Sequence, residues 1–212
     1  MRMKPNDRGF SLLELMITLS IILIMAGVTF IAMQPVIKQN DSTIAFDTTL
    51  EVIRNYRNQA ITKSRRYMIT FTPAAGALRA FMTVQWLPAG VPVAPPPVFV
   101  ATYTLPADIQ FGVQAGFPTT AATVPDGFGN GGTAVDFDQN MGLGSQNYIM
   151  FMPDGSSQDT LGNWNSGVVY MIRNTDVTDV YSARAVTVFG PTGRIRGWRL
   201  NPVGGVPTWG QQ

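Results

Sequence analysis

The sequence has no cysteine and no histidine, and charged residues make up 13% of its 212 positions, about half the usual share. Those absences remove disulfide scaffolds, zinc fingers, haem attachment, Ser–His and Cys–His nucleophiles and any histidine general base. They say little about compartment, because a cysteine-free chain suits oxidising and reducing surroundings equally. Low charge with 45% hydrophobic residues excludes a long disordered chain. Beyond residue 9 the lysines are Lys38 and Lys63 alone, and no glycine-rich phosphate loop of the P-loop or dinucleotide type occurs. Residues 126–140 hold several aspartates but lack the ligand spacing and terminal glutamate of a calcium loop. The expectation is therefore no enzyme, no cofactor and no metal site. What the chain does have is 21 glycines and 15 prolines, which punctuate it with turns and point to β structure for most of its length.

The first forty residues are a different material. Residues 1–9 are short and basic, with Arg2, Lys4 and Arg8 against Asp7. An apolar stretch, 10–37, follows and carries one charge, Glu14; from 15 to 37 there are 23 consecutive uncharged residues. That is about 34 Å of helix, enough to cross a hydrocarbon core of about 30 Å. A cleaved secretory signal fits poorly, since the apolar run continues ten positions past the small residues at 26–27. A buried core helix of this length would carry polar positions at helical spacing. A retained membrane helix fits best, with the basic leader on the cytoplasmic side. Glu14 is the anomaly, because an acid in a membrane helix is costly and by default functional.

Gly9-Phe10-Ser11-Leu12-Leu13-Glu14-Leu15-Met16 resembles the prepilin processing signal of type IV pilins and type II secretion pseudopilins. The resemblance implies that prepilin peptidase cuts after Gly9, that Phe10 becomes the N-methylated first residue, and that Glu14 helps subunits enter a filament. The physics is compatible: a new amino terminus paired with Glu14 of a neighbour would offset part of the cost of burying either charge. The plainer alternative leaves Glu14 at the headgroup level.

Beyond the apolar run, Pro35 is expected to bend the helix rather than end it. Segment 38–65 reads as its amphipathic continuation, with Ile44, Phe46, Leu50, Ile53, Ala60 and Ile61 forming the apolar stripe. Arg54, Arg57, Lys63, Arg65 and Arg66 make its end basic, as helix-dipole complementarity and a solvated face both require. Strand signals cover 66–71, 78–86, 98–105, 109–113, 148–152, 167–173, 183–189 and 194–200, with a rigid proline-dense tract at 88–97. The expected fold class is α+β: a long N-terminal helix, transmembrane and then amphipathic, on a C-terminal antiparallel β-sheet domain, 66–212. The turn Phe151-Met152-Pro153-Asp154-Gly155 and Gly193-Arg194-Ile195-Arg196, which follows strands 167–173 and 183–189, resemble the GspH/FimT-type minor pseudopilins and minor pilins. That likeness implies a pilin-like fold with a closing hairpin.

Period-two spacing puts Arg194, Arg196 and Trp198 on one face of a strand. Two guanidinium groups beside an indole suit nucleic acid, where arginine pairs phosphate and aromatics stack bases, and FimT-like relatives are implied to bind DNA through such a Gly-Arg-x-Arg element. The alternative is a charged edge strand, or arginines paired to a neighbouring subunit's acids. Charge favours the alternative: residues 1–9 hold three bases and one acid of the 15 and 13, so their removal leaves 12 of each, without the broad basic field of a strong DNA binder. Asp126, Asp136, Asp138, Asp154, Asp159, Asp176 and Asp179 are expected to be solvated loop acids. The combined expectation is a structural minor subunit of a type II secretion pseudopilus, or else a DNA-binding minor type IV pilin. Its partners would be other pilins, prepilin peptidase and the bacterial inner membrane, which it would span once with its C-terminal domain periplasmic until assembly; nucleic acid is not favoured. Mass spectrometry of the membrane-extracted protein is expected to show 203 residues, the 212 less residues 1–9, beginning at methylated Phe10; an intact Met1 in cells that contain the peptidase would overturn the processing signal.

Overall fold

The computed structural model describes residues 10–89, 96–120, 122–137, 146–174 and 179–212. The leader with Gly9, the middle of the proline tract, Asp138 and Asp176 lie outside the described residues. The chain forms two compact units, Met1–Gln39 and Asn40–Gln212. One helix, α1 (Leu12–Lys63), contributes to both, and its helical backbone continues through Pro35. In the first unit the segment Leu12–Met33 is long and apolar enough to cross a membrane, and its apolar side chains are exposed all round. A helix without a polar face needs an apolar solvent or protein partners on every side.

In the second unit α1 has one buried stripe: Ala45, Phe46, Thr49, Val52, Ile53, Tyr56 and Ala60. These positions recur every three or four residues and so share a face. Ile44 and Ile61, expected on that face, are exposed instead; each stands one residue, about 100° of rotation, from a buried alanine of the stripe, Ala45 or Ala60. The helix stops where Ser64 takes a left-handed conformation (φ 50°) and the Arg65 amide donates back to the Ala60 carbonyl at 3.1 Å, a helix ending more often built on glycine.

Antiparallel strands make two sheets. The first contains β1 (Arg66–Thr72), β2 (Phe81–Leu87) and β3 (Val98–Thr104). In the second lie β4 (Ile109–Phe111) and β5 (Val135–Phe137). The first continues with β6 (Tyr148–Phe151) and β7 (Ser157–Gln158), in the order β3-β2-β1-β6-β7. The second is completed by β8 (Gly167–Arg173), β9 (Arg184–Phe189), β10 (Arg194–Val203) and β11 (Val206–Gln211). Its order is β11-β10-β9-β8-β4, with β5 also on β8. Inward residues of both sheets, among them Ile69, Phe71, Val84, Val169 and Val186, meet the α1 stripe in one core. The other face of the second sheet carries a smaller core around Tyr170, Leu200 and Trp209, covered by Phe117. Strand β8 is buried along its whole length, hence its unbroken apolar run.

The observed α+β fold, a long apolar N-terminal helix followed by an antiparallel β domain, has the expected class, and the stronger strand signals lie close to observed strands. Three strands escaped the pattern. β5 and β7 are too short to carry a period, and β11 contains Pro207 and Gly210, residues tolerated there because it is an edge. β10 lies between β9 and β11, but β11 pairs with it only over residues 198–203, so Arg194 and Arg196 have β9 on one side alone and keep the edge position of the charged-edge alternative. The chain closes one strand later than expected, through Gly204-Gly205, both at positive φ, as a two-residue hairpin turn requires.

Gly197 of β10 lies against the ring of buried Phe46, and a Cβ there would collide with it. Gly197→Ala is expected to lower unfolding free energy by about 1–3 kcal/mol, measured by denaturant titration, and adding Phe46→Leu should recover part of the loss.

Candidate functional site

At its N-terminal end α1 is capped from within the motif. The Ser11 hydroxyl accepts the Glu14 amide at 3.2 Å, and the Ser11 carbonyl accepts the Leu15 amide at 3.2 Å. Ser11-x-x-Glu14 is the spacing of a capping box, a signal present in the sequence and overlooked there. Thr18, Ser20 and Thr29 turn their hydroxyls onto the carbonyls of Leu15, Met16 and Met25 at 2.8–3.0 Å, so these polar groups are satisfied within the helix. Glu14 is left as the one ionisable side chain of the apolar segment.

In the second unit the two turn motifs meet on a residue that sequence reasoning assigned to a solvated face. Arg57 Nε donates to the Gly155 carbonyl at 3.1 Å, and its Nη2 donates to the Thr192 carbonyl at 2.9 Å. Gly155 and Gly193 are both at positive φ, and a Cβ on either would run into this contact: on Gly193 into the Gly155 carbonyl and Arg57, on Gly155 into Ile61. The 151–155 turn is stiffened by Asp154, which accepts the Ser156 amide at 2.8 Å and hydroxyl at 2.6 Å. The Ser156 hydroxyl, then its amide, hold the Asp154 carboxyl below the usual carboxylate range. Its stabilising contribution is therefore present above the ordinary carboxylate pKa and lost as pH falls through the lowered one. Other members of the basic cluster are also engaged. Arg65 stacks over Trp86 at 4.2 Å, Arg66 donates to the Pro88 carbonyl at 3.0 Å, and Lys63 donates to Gln59 at 2.8 Å.

Beyond this hub, β10 carries Arg194, Arg196 and Trp198 on one face as the spacing predicts. Arg194 Nη2 lies 3.2 and 3.0 Å from the two Asp126 oxygens, and Arg196 Nη1 lies 2.9 Å from one of them. Trp198 Nε1 donates to the Thr187 hydroxyl at 2.9 Å, and that hydroxyl donates to Asp126 at 3.4 Å. The arginines thus have an acid within their own chain, at the tip of the turn Pro125–Gly127. This corrects the reading of Asp126 as a solvated acid. Asp136 and Asp159 are buried too, Asp159 accepting the Leu161 and Asn163 amides at 2.8 Å. Asp179 pairs with Arg173 at 3.7 Å and caps a short turn through the Tyr181 amide. Burial, then neighbouring Arg199, push Arg184 down to about 10. Its Nη1 is used up on the carbonyls of Tyr181, Ser182 and Ala183, so this perturbed group is part of the packing.

Residues 4–30 match the prokaryotic N-terminal methylation motif. That motif marks a type IV pilin-like protein, of the kind processed by prepilin peptidase and assembled with other pilins. No curated protein and no solved structure is found to match the chain. The matched segment ends before the unit Asn40–Gln212 begins. It includes Phe10 and Glu14, and with the one helix of membrane length among the described residues it fits an inner-membrane anchor.

Arg57 is the residue that sequence reasoning missed, since its acceptors lie 98 and 135 positions away. Arg57→Lys offers a point charge where a planar fork spans two carbonyls. The expected loss is about 1–2 kcal/mol of stability, read by urea unfolding, with Arg57→Ala losing at least as much.

Proposed function

We propose that the chain is a structural minor subunit of a type II secretion pseudopilus. On this reading it is cut after Gly9, methylated at Phe10, and drawn from the inner membrane into a short periplasmic filament through its apolar helix. The helix anchors the precursor and afterwards forms part of the filament core, while the β domain faces outward. The observation that carries the structural role is the engagement of both Arg194 and Arg196 by Asp126. It ties to the fold donors that a nucleic-acid receptor would need free and leaves one net positive charge across the three groups. A filament subunit, in contrast, requires only the anchor, Glu14 and a stable outer domain.

One observation favours a second reading, a minor type IV pilin that binds DNA during natural transformation. Although paired, the Arg194 and Arg196 side chains remain 44% and 32% exposed and share a face with Trp198. Deleting the gene separates the readings. Loss of type II substrate secretion with unchanged transformation supports the pseudopilus, and the reverse outcome selects the DNA-binding pilin.

Glu14 is assigned to assembly rather than anchoring. Glu14→Ala is expected to leave membrane insertion intact or improved, because a charge leaves an apolar helix, while filament incorporation falls. Cross-linking to neighbouring pilins that is unchanged in the mutant would reduce Glu14 to an acid at the headgroup level.

A further inference from the structure

Beside β11, the outermost strand of the second sheet, lies a cleft of about 370 Å³, within the roughly 300–1,000 Å³ of ligand sites. Trp198 and Trp209 wall it, with Pro207 and Thr208 from β11 and Val124 and Asp126 from the turn opposite. Both indoles are held in place. Trp198 Nε1 donates to the Thr187 hydroxyl at 2.9 Å, while Trp209 packs against Phe117 and Tyr170, with ring centroids 5.5 and 5.6 Å away. Fixed rings offer a preformed apolar surface at little cost in ordering. The one charged residue lining the cleft, Asp126, is already engaged by Arg194 and Arg196, so the cleft suits an uncharged guest.

The cleft also borders a donor without an acceptor. Trp209 is 7% exposed, and its Nε1 makes no hydrogen bond among the described residues. A buried donor left unpaired is costly, and a guest that brings an acceptor removes that cost.

At the first sheet the chain carries a segment of matching chemistry. From Ala80 to Ala107 there is no charged residue, and within that stretch Pro92-Val93-Ala94-Pro95-Pro96-Pro97 leads into β3. A proline-dense sequence favours polyproline II, which has no internal hydrogen bonds. Prolines also lack the amide hydrogen, so such a segment is rich in acceptors and poor in donors. Aromatic-lined grooves take P-x-x-P segments because these are ordered before they bind. Directly after the prolines, Val98, Phe99 and Val100 are exposed on β3, the outermost strand of its sheet. An uncharged, apolar edge strand invites association unless something covers it.

We propose that the proline tract of one copy, residues 92–97 with the start of β3, docks in the Trp198–Trp209 cleft of a second copy and brings a carbonyl to the Trp209 indole. The tract and the cleft belong to different sheets, so the contact is heterologous: a copy that receives a tract still offers its own. Repeated, such a contact builds a ring or an open helical filament, whereas a two-fold pair stops at two. The docking joins outer domains rather than anchors. It is therefore separate from the assembly role of Glu14 and holds whether the filament serves secretion or DNA uptake.

The test uses the full processed chain, ¹⁵N-labelled at tryptophan, in non-ionic detergent, titrated with a synthetic peptide of residues 90–99. The indole signals of Trp198 and Trp209 are expected to move together and saturate, the Trp209 proton shifting downfield as it gains an acceptor. Those of Trp86 and Trp164 should stay in place. Replacing the prolines of the peptide with alanine should weaken binding about tenfold or more, as should Trp198→Ala in the protein, the usual cost of removing an aromatic anchor. No movement with millimolar peptide overturns the cleft as a docking site, and equal binding of the alanine peptide overturns the proline chemistry. The wild-type titration decides the question even where Trp198→Ala unfolds. It is also independent of the gene deletion, so docking can stand while the pseudopilus reading falls, or fall alone. Because the chain has no cysteine, single Ala94→Cys and Thr208→Cys variants can be mixed and oxidised. A disulfide-linked dimer of the two supports docking between copies. A mixture that stays monomeric, or a double variant that closes only within one chain, overturns the second copy as the occupant.

Discussion

The second unit depends on one stripe of one helix. Phe46, Ile53, Tyr56 and Ala60 of α1 enter the same core as the inward faces of both sheets, so neither sheet has its buried face without them. A fully buried side chain the size of Phe46 or Ile53 contributes roughly 1.5–3 kcal/mol, and most of that is available only when sheets and helix close together. Arg57 adds direction to this apolar contact. By donating to the Gly155 and Thr192 carbonyls, it fixes which turns meet the helix and at what height, a selection that non-directional burial cannot make.

The same helix carries two different side-chain patterns along its length. Over Leu12–Met33 it is apolar on every side, with hydroxyls folded back onto its own carbonyls; from Ala45 onward it is apolar on one stripe and polar elsewhere. Lipid requires that every backbone group be satisfied within the segment, which a helix alone achieves. A single continuous helix answers both requirements. Only the side-chain pattern has to change, and Glu14 is the exception that the anchor's own packing does not explain.

Charge in the outer domain is balanced at close quarters. Asp126 answers Arg194 and Arg196, Asp108 and Asp179 answer Arg173, and Ser156 fills the Asp154 carboxylate. Arg57, Arg66 and Arg184 are held by backbone carbonyls, whereas acids that look like loop decoration in the linear sequence are structural partners. Such pairs add modest stability where exposed and more where covered. Their larger effect is to fix where loops such as 122–128 lie on the sheet.

The anchor, the processing motif and the fold class were legible in the sequence, because each is written in neighbouring residues: an uncharged run of membrane length, Gly9 to Glu14 in fixed spacing, apolar alternation along β1 and an unbroken apolar run in β8. The cap from Ser11 to Glu14 was equally local and could have been read. Tertiary structure alone decided the rest. It paired Arg57 with carbonyls 98 and 135 positions away, and Arg194 and Arg196 with an acid 68 and 70 positions away. It also added β11 beside residues 198–203 of β10, a strand whose Pro207 and Gly210 disguise it. The physical reason is the range of the interactions. Helix and strand periods repeat between near neighbours and survive in the linear order, whereas an ion pair or a turn docked on a helix exists only after long loops have closed, and no local spacing records which ends will meet.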